Sequence, residues 1–359
     1  IEDTEEKITE DAIKKSSAKI FNEGTLLIAM YGATVGKTAL LNIPASTNQA
    51  VCAVFPNENL LFNPYLRYYF IYARDRLLTE RYGGAQSNIS QTLIRNFKIP
   101  LPPLPEQKKI AAVLSAVQEA KEKTEAVIEA TKTLKKSMMK HLFTYGPVSV
   151  KNQKEDKIDS KDWSRVKIKE LIKYSQYGLS VKANQTGKYP MLRMNNMEAG
   201  KVSLKDLKYI NLSNDEFEKY KLELDDILFN RTNSPDLVGK TAIFNSDKNC
   251  VFASYLIRQK KKKNKVLPKY LNYYLNYEPV QNEIRHLGSR GVSQSNISAT
   301  KLKDYSISIP EYNTQKEISF VINSCDRKLF TEENKKQALE KLFQSLLKNL
   351  MTGKIRVND

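Results

Sequence analysis

A stretch that occurs twice constrains the fold of this chain more than any other feature. The sequence IPLPPLPEQKKIAAVL at residues 99–114 returns as ISIPEYNTQKEISFVI at residues 307–322. Three identities share one offset of 208 residues: Pro102 with Pro310, Gln107 with Gln315, and Ile110 with Ile318. In both copies prolines fix an extended lead-in, and neither proline nor glycine then interrupts a helix for about 40 residues. Each copy therefore predicts a point where a globular part ends and a long helix begins.

The length of the chain, 359 residues, exceeds what one ordinary hydrophobic core supports and suggests at least two domains. The repeat gives this prediction its boundaries: 1–103 globular, 104–146 long helix, 147–162 connector, 163–309 globular, and 310–359 long helix and tail. The start of the chain aligns with residues 210–224, which leaves residues 163–209 without a counterpart. We therefore expect the first globular part to lack its N-terminal strands in this sequence.

The balance of charge predicts a polyanionic partner. Lys and Arg number 58 against 40 Asp and Glu, so the net charge is +18 and the isoelectric point is about 9.5. This charge favours DNA or RNA, although a basic surface without such a partner stays an alternative at this point. No apolar run approaches about 18 residues, which argues against a membrane span or secretion. Three dispersed cysteines and two histidines form no metal-binding spacing, so we expect a reducing cytoplasm, no metal and no cofactor.

The string VGKTA occurs at residues 35–39 and again at residues 238–242. Only three residues separate Gly32 from the Gly-Lys-Thr that follows, whereas a phosphate-binding loop has four and continues into a helix. The surrounding runs, residues 24–41 and 225–244, indicate two short strands around a turn. An NTPase site is therefore not predicted.

Tyrosines recur at helical spacing in YLRYYFIY, residues 65–72, and YLNYYLNY, residues 270–277. They share one helical face, which we interpret as core and not as a stacking platform for bases. Loops rich in Gly, Ser, Asn and Gln follow at residues 81–90 and 286–298, each with an arginine. Their Ser and Asn residues suit helix capping, whereas their arginines and glycines suit contact with nucleic acid.

Apolar residues at alternating steps of three and four predict which face of each long helix is buried. The predicted seam consists of Ile110, Val113, Val117, Val127, Leu134 and Met138 in the first helix, and of Ile318, Ile322, Leu339, Phe343, Leu346 and Leu350 in the second. Both seams are polar in the middle, so neither helix is stable alone over its full length. We therefore expect the two helices to pack against each other, each roughly 60 Å long at 1.5 Å per residue.

The repeated halves, the IPLPPLPEQKKI signature and the helix behind it resemble the specificity subunit of type I restriction-modification systems across essentially the whole chain. The resemblance implies an α+β fold in which two α/β target recognition domains alternate with two long helices. It implies that these helices pair as an antiparallel coiled coil within a pseudo-two-fold internal repeat. Each domain would recognise half of a bipartite asymmetric site on double-stranded DNA, with the coiled coil setting the spacer. The implied partners are two modification subunits, which carry the methyltransferase activity, and restriction subunits for translocation and cleavage.

The resemblance also assigns DNA contacts to matching positions. In the first half they are Tyr31, Thr34, Lys37, Arg81 and Gln86. In the second half they are Tyr189, Arg193, Asn195, Asn196, Arg231, Asn233, Lys240, Ser289 and Arg290. Arg193, Asn195 and Asn196 are the strongest candidates for recognising bases, because their planar groups match the edges of guanine and adenine. A buried or capping role is the alternative for the two asparagines.

The sequence argues against catalysis by this chain. Asn63-Pro64-Tyr65 lacks the second proline of an amino-methyltransferase tetrapeptide, and no glycine-rich cofactor loop precedes it. Glu106-Gln107-Lys108 has the spacing of a nuclease motif but begins a helix, where a carboxylate is favoured electrostatically. We therefore predict a non-catalytic DNA-binding subunit. The weaker alternatives are a single-chain DNA methyltransferase or nuclease and a non-specific basic coiled-coil scaffold.

Overall fold

The computed structural model describes residues 1–80, 88–147, 163–262, 265–290 and 295–357. The chain divides into two compact units, the first formed by Ile1–Ile128 with Thr331–Asp359 and the second by Glu129–Phe330. Both divisions fall inside long helices, so each unit combines a globular part with half of each helix. Among the described residues, no helix is both long enough and apolar enough to cross a lipid bilayer.

The described part of the first unit combines two small sheets with helices. Its elements are α1 (Glu10–Lys14), β1 (Ile20–Phe21), β2 (Leu26–Ala29), β3 (Thr38–Leu40), β4 (Ala45–Ser46), β5 (Val51–Val54), α2 (Asn63–Tyr72), α3 (Arg74–Thr79), α4 (Gln91–Asn96) and the long helix α5 (Leu104–Tyr145), whose first half belongs here. Strand β2 pairs with β3 and β5 in an antiparallel sheet, and β1 pairs with β4.

Helix α2 carries the first tyrosine face. Pro64 lies in its first turn, where the missing N–H costs no hydrogen bond. Tyr65, Tyr68 and Tyr69 are buried in the core that also contains β2 residue Leu26. Each large side chain buried in this way contributes about 1.5–3 kcal/mol to stability. Three of the four tyrosines on this face are therefore core, as the sequence predicts, whereas Tyr72 at the end of the helix is 37% exposed.

The turn between β2 and β3 carries the repeated VGKTA string. Gly32–Thr34 form a 3-10 turn, Gly36 has a φ of 74°, and Thr38–Leu40 form a strand. Any other residue at Gly36 would be strained by this backbone, and its Cβ would crowd Arg74 Cγ at 3.1 Å. A strand follows the lysine where a phosphate-binding loop has a helix, so the segment is a strand connection, as predicted.

The described part of the second unit contains four sheets. Its elements are β6 (Ser164–Lys167), α6 (Ile168–Leu171), β7 (Ile172–Tyr177), β8 (Tyr189–Leu192), β9 (Met197–Glu198), β10 (Lys201–Val202), β11 (Lys208–Ile210), α7 (Asn214–Tyr220), β12 (Ile227–Asn230), β13 (Thr232–Asn233), β14 (Thr241–Ile243), β15 (Val251–Phe252), β16 (Leu256–Lys261), α8 (Pro268–Leu275), α9 (Glu278–His286), β17 (Ser289–Arg290), β18 (Ser295–Asn296), α10 (Ala299–Asp304), β19 (Ser306–Ile309) and the long helix α11 (Tyr312–Met351), whose first half belongs here. The largest sheet has the strand order β7-β16-β12-β14-β10-β9. The smaller sheets have the orders β11-β8-β15, β13-β18-β17 and β19-β6.

A buried glutamine joins the globular part of the first unit to its long helix. Gln107 Oε1 accepts a hydrogen bond from the N–H of Phe62 at 2.9 Å, immediately before α2. Gln107 Nε2 donates to Leu60 O at 2.9 Å and to Pro102 O at 2.8 Å. One side chain thus satisfies backbone groups from the α2 entry and from the proline-rich lead-in, which fixes where α5 begins.

The second unit uses the matching glutamine in the same way. Gln315 Oε1 accepts from the N–H of Leu267 at 2.8 Å, immediately before α8, and Gln315 Nε2 donates to Pro310 O at 3.0 Å. The two glutamines of the repeated signature therefore have equivalent partners. This hydrogen bonding gives a physical reason for glutamine at the same place in both copies.

Within the first unit, α5 and α11 are antiparallel and joined by ion pairs. Lys121 pairs with Glu340 at 2.5 Å, and Glu125 pairs with Lys336 at 2.9 Å. Four residues forward along α5 therefore correspond to four residues back along α11. Charged groups replace apolar contacts here, in the polar middle of the predicted seams.

Within the second unit, a buried carboxylate joins the two long helices to α8. Lys135 Nζ lies 2.6 Å from Asp326 Oδ1, and the hydroxyl of Tyr273 donates to Asp326 Oδ2 at 2.8 Å. Burial and the adjacent Asp326 charge raise the pKa of the Tyr273 phenol, so the hydroxyl stays protonated and keeps donating. Each carboxylate oxygen thus has a partner, which a buried charge requires.

The predicted seam matches the buried face of α11 more closely than that of α5. In α11, Ile318, Ile322, Phe343 and Leu350 are buried, and Leu339 and Leu346 are half-buried. In α5, Ile110 is buried and Val117 and Met138 are half-buried. The structure corrects the prediction at Val113, Val127 and Leu134, which are exposed. The buried face of α5 instead contains Leu114, Thr124, Ile128, Thr131 and Leu142.

Candidate nucleic-acid interface

The second unit has a cleft of about 520 Å³ bordered by three loops, at residues 179–183, 193–195 and 253–255. Lys182, Arg193 and Lys208 line it, and its described lining residues include no carboxylate. The cleft therefore gathers positive charge that no acidic side chain of its described wall neutralises. Such a surface suits a phosphate backbone.

A glycine lets two of these loops approach closely. A Cβ at Gly178 would lie 2.3 Å from Phe252 O, so no other residue fits without moving backbone. The backbone N–H of Leu179 then donates to Phe252 O at 2.8 Å, and Leu179 O accepts from the N–H of Ser254 at 2.8 Å. These bonds hold the first and third loops together at one edge of the cleft.

Arg193 and Asn195 both line the cleft, on the loop after β8. Arg193 is half-buried, and its Nη2 donates to Asp206 O at 2.8 Å, which restricts the position of the guanidinium. Its Nε is buried and has no hydrogen-bond partner among the described residues. Asn195 is exposed. The loop thus presents planar polar groups of the kind that recognise base edges.

Two predicted DNA contacts on this segment lie in the interior, which corrects the expectation for them. Tyr189 is buried and stacks on Phe217 with ring centroids 4.0 Å apart. Asn196 is 2% exposed; its Oδ1 accepts from the N–H of Arg193, and its Nδ2 donates to Ser203 O and Lys205 O. Asn196 therefore shapes the loop and cannot reach a base.

Arg231 lies beside the same cleft and is held by several contacts. Its guanidinium carbon lies 4.9 Å from the centre of the Tyr177 ring, and Nη2 donates to Asn296 Oδ1 at 3.0 Å. The Arg231 N–H donates to Tyr255 O at 2.9 Å, and Tyr255 is a lining residue. These contacts fix the guanidinium next to the third loop.

Four predicted contacts of the second half remain. Asn233 and Lys240 follow Arg231 in the chain, and Ser289 and Arg290 belong to the β13-β18-β17 sheet. Asn233 and Lys240 are half-buried, and Asn233 Oδ1 accepts from the N–H of Ser234 at 2.8 Å. Ser289 and Arg290 form β17, which pairs with β18. Their side chains lie outside the described part of the structure.

In the first unit, the predicted contacts Tyr31, Thr34 and Lys37 are all exposed on the turn between β2 and β3. The turn is positioned by Arg74, whose Nε and Nη2 donate to Val35 O at 3.1 Å and 2.8 Å. Sequence reasoning missed Arg74, which lies 39 residues from its acceptor. The predicted contacts Arg81 and Gln86 fall outside the described residues.

Several other cations of the second unit are already neutralised. Lys260 Nζ lies 2.6 Å from Glu223 and 3.2 Å from Asp226, and Arg258 Nη1 lies 3.6 Å from Asp226. The hydrogen bond from Lys260 lowers the pKa of Glu223, whereas burial raises the pKa of Asp226. These two cations hold the sheet together and are poor candidates for phosphate contacts.

Lys182, Lys208, Tyr177 and Tyr255 were not singled out from the sequence. Tyr177 is 43% exposed and Tyr255 is 47% exposed. A signal existed in YGLSVK, residues 177–182, where aromatic and basic residues flank a glycine. The other two lie far along the chain, and only the tertiary fold brings them to the cleft.

Comparison with known proteins identifies relatives over most of the chain. A family model described as the type I restriction modification DNA specificity domain matches residues 1–130 and 160–341. The type I restriction enzyme MjaVIII specificity subunit of Methanocaldococcus jannaschii is 27% identical over 95% of this chain and 81% of that protein. The provisionally assigned MjaX specificity subunit of the same organism is 29% identical over 53% of this chain, and the match spans only 46% of that relative. The crystal structure of a type I restriction-modification S subunit from M. genitalium shares the fold, with a TM-score of 0.64, 15% identity, and coverage of 93% of this chain and 84% of that one.

Proposed function

The chain belongs to the type I restriction modification DNA specificity family, and we propose that it recognises a bipartite asymmetric site on double-stranded DNA. Specificity subunits are non-catalytic, so methyl transfer and cleavage belong to other subunits. The observation that carries the proposal for the second unit is the cleft lined by Lys182, Arg193 and Lys208, with no carboxylate among its described lining residues. In the first unit the candidate is the turn that exposes Tyr31, Thr34 and Lys37, whose counterpart in the second unit is the turn after Arg231.

In this proposal, the residues of the cleft divide their roles by chemistry. Lys182 and Lys208 contact phosphates, because a flexible ammonium group neutralises charge without reading sequence. Arg193 and Asn195 contact base edges, where a guanidinium pairs with guanine and an amide with adenine. Arg231 contacts the DNA beside them with a guanidinium held in one position, since Tyr177 and Asn296 already restrict its side chain.

We further propose that α5 and α11 pair as an antiparallel coiled coil that sets the distance between the two half-sites. The ion pairs within the first unit support the antiparallel register there. The same helices would dock two modification subunits, and restriction subunits would complete the complex in the cytoplasm. Recognition of two segments at a set distance follows the logic of half-site spacing in dimeric DNA-binding proteins.

The direct test is selection of bound duplexes from a random pool by the chain reconstituted with modification subunits. We expect two short motifs separated by one fixed gap. A single contiguous motif would contradict the two-part site. Equal binding to random and selected duplexes at matched salt would instead favour a non-specific basic scaffold.

The double variant Lys182→Gln with Lys208→Gln tests the proposed phosphate contacts. We expect binding to weaken on all duplexes alike, and the slope of log affinity against log salt to fall in magnitude by about 2, since each phosphate contact contributes about 0.9. Affinity measured at four salt concentrations checks this. Lys173→Gln is the matched control, because Lys173 is exposed on β7 and does not line the cleft.

Arg193→Gln in the same assay distinguishes base recognition from phosphate contact. We expect a loss of about 1–3 kcal/mol on the selected duplex and relaxed preference at one base position, as for other bidentate contacts. An equal loss on every duplex would show that Arg193 contacts the phosphate backbone only.

A further inference from the structure

The first loop of the cleft in the second unit is held at both ends. At one end Leu179 is hydrogen-bonded to the third loop through both its N–H and its carbonyl oxygen. At the other end the Asn184 N–H donates to Tyr209 O, and the Tyr209 N–H donates to Asn184 O, both at 2.8 Å. Only residues 180–183 lie between these anchors, so a ligand that contacts them does not have to order the loop first.

The apolar residues of this loop differ in burial. Leu179 is 7% exposed and belongs to the core that contains Tyr189 and Met191, and Ala183 packs against the same core. Val181 is 55% exposed and belongs to no hydrophobic core of the described residues. A single exposed valine is ordinary on a protein surface. What distinguishes Val181 is its position in a cleft that also contains candidate base contacts.

The neighbours of Val181 indicate what kind of ligand contacts it. Lys182 follows it in the chain, and Arg193, Asn195 and Lys208 line the same cleft. Because no described lining residue is a carboxylate, the charge of the cleft favours a polyanion as its ligand. Duplex DNA presents phosphates along the edge of a groove and base edges inside it, so a lysine beside an aliphatic side chain matches both.

The base edges of DNA present an aliphatic group in one place. This group is the C5 methyl of thymine, and it lies in the major groove. The groups proposed as partners of Arg193 and Asn195, which are O6 and N7 of guanine and N6 and N7 of adenine, lie in the same groove. An aliphatic side chain beside a guanidinium and an amide therefore matches the set of groups that the major groove presents.

We propose that Val181 contacts the C5 methyl group of a thymine, so that the half-site of the second unit includes an A·T pair at this position. This inference rests on the proposed function and adds an apolar contact to the polar ones. Cytosine lacks the methyl group and presents an amino group as a donor instead. The valine side chain has no acceptor for that donor, so cytosine is disfavoured there.

The test compares duplexes that differ by one methyl group. The full chain is reconstituted with modification subunits, and each thymine of the selected duplex is replaced in turn by deoxyuridine, which keeps the base pair and lacks only the methyl group. We expect one replacement to weaken binding about fourfold, as for the loss of one buried methyl group. Competition binding against the unmodified duplex measures this difference.

Two protein variants assign the effect to a residue. Val181→Ser should bind the thymine and deoxyuridine duplexes equally at that position, because the side chain that contacts the methyl group is gone. Leu224→Ser is the matched control and should keep the fourfold difference, since Leu224 is 61% exposed in the same unit and does not line the cleft.

Two results would overturn this inference and leave the proposed function intact. One is a preferred duplex whose binding changes with none of the replacements. The other is a methyl effect that Val181→Ser retains at every sensitive position. Absence of any preferred duplex would instead overturn the proposed function, and this inference with it.

Discussion

Replacing Gln107 with leucine is expected to destabilise the first unit by about 3–5 kcal/mol, although the substitution makes the side chain more apolar. Gln107 is fully buried and serves Phe62 N–H, Leu60 O and Pro102 O at once. Leucine of similar size fills the space but leaves three backbone groups without partners, each costing about 1–3 kcal/mol. Calorimetry should show the loss as a lower unfolding temperature, and hydrogen exchange should show earlier opening at Phe62.

Gln344→Leu is the matched control for this experiment. Gln344 is exposed on α11 and makes only a surface hydrogen bond to Glu340 at 3.2 Å. We expect its effect to stay within about 0.5 kcal/mol. Equal stability of the two variants would show that the backbone groups find other partners when Gln107 is lost.

The matching variant Gln315→Leu provides an independent measurement. Trp163 is the single tryptophan of the chain and is buried in the core of the second unit. Its fluorescence therefore reports unfolding of that unit. We expect the urea midpoint to fall for Gln315→Leu, since Leu267 N–H and Pro310 O lose their partner.

The features that the sequence predicted are those with a local cause. The tyrosine face follows from helical periodicity, and the strand around Thr38 follows from the short apolar run that contains it. In each case the residues that determine the structure lie within one short segment.

The face of α5 could not be predicted in the same way. Val113, Val127 and Leu134 look like seam residues because periodicity counts apolar side chains. Lys121 instead turns towards Glu340, a carboxylate 219 residues away, and Thr124 is buried nearby. Hydrophobicity along one helix contains no information about an ion-pair partner on the other.

Candidate site residues were hardest to judge, because residue type does not reveal orientation. Asn195 and Asn196 are adjacent and chemically identical. Asn195 is exposed at the cleft, whereas Asn196 is buried and makes three hydrogen bonds. Tyr189 suits base stacking in composition, but Phe217 already covers its ring. Whether a residue holds its loop in shape or is available for contact with DNA depends on the neighbours that the tertiary fold places beside it.

The two copies of the VGKTA turn differ in a way that bears on recognition. The Ile89 N–H donates to Met30 O at 2.9 Å, just as the Ile297 N–H donates to Arg231 O at 2.8 Å. Met30 is buried, so the first unit has an apolar side chain where the second has a positioned guanidinium. We therefore expect the two half-sites to differ in sequence.

Deleting one heptad from each long helix is expected to abolish recognition of the original site and to create a new one with a shorter gap. Residues 122–128 of α5 face residues 333–339 of α11 in the antiparallel register, so both segments can be removed together. The deletion removes the Glu125–Lys336 pair and keeps Lys121 with Glu340. Seven residues span about 10 Å of helix, which corresponds to at most about 3 base pairs at 3.4 Å each. Selection from a random duplex pool measures the gap directly.

The half-sites themselves should not change in this experiment, because neither the cleft nor the turn at Tyr31–Lys37 is altered. The charge-exchanged variant Lys121→Glu with Glu340→Lys keeps the helix length and should keep the original gap. Trp163 fluorescence checks that the second unit of the deletion variant remains folded. Unchanged spacing in a folded deletion variant would mean that something other than the two helices sets the gap. A shorter gap with unchanged half-sites would show that the two functions are separate. The globular parts would then determine which bases are recognised, and the length of the helices would determine the distance between the half-sites.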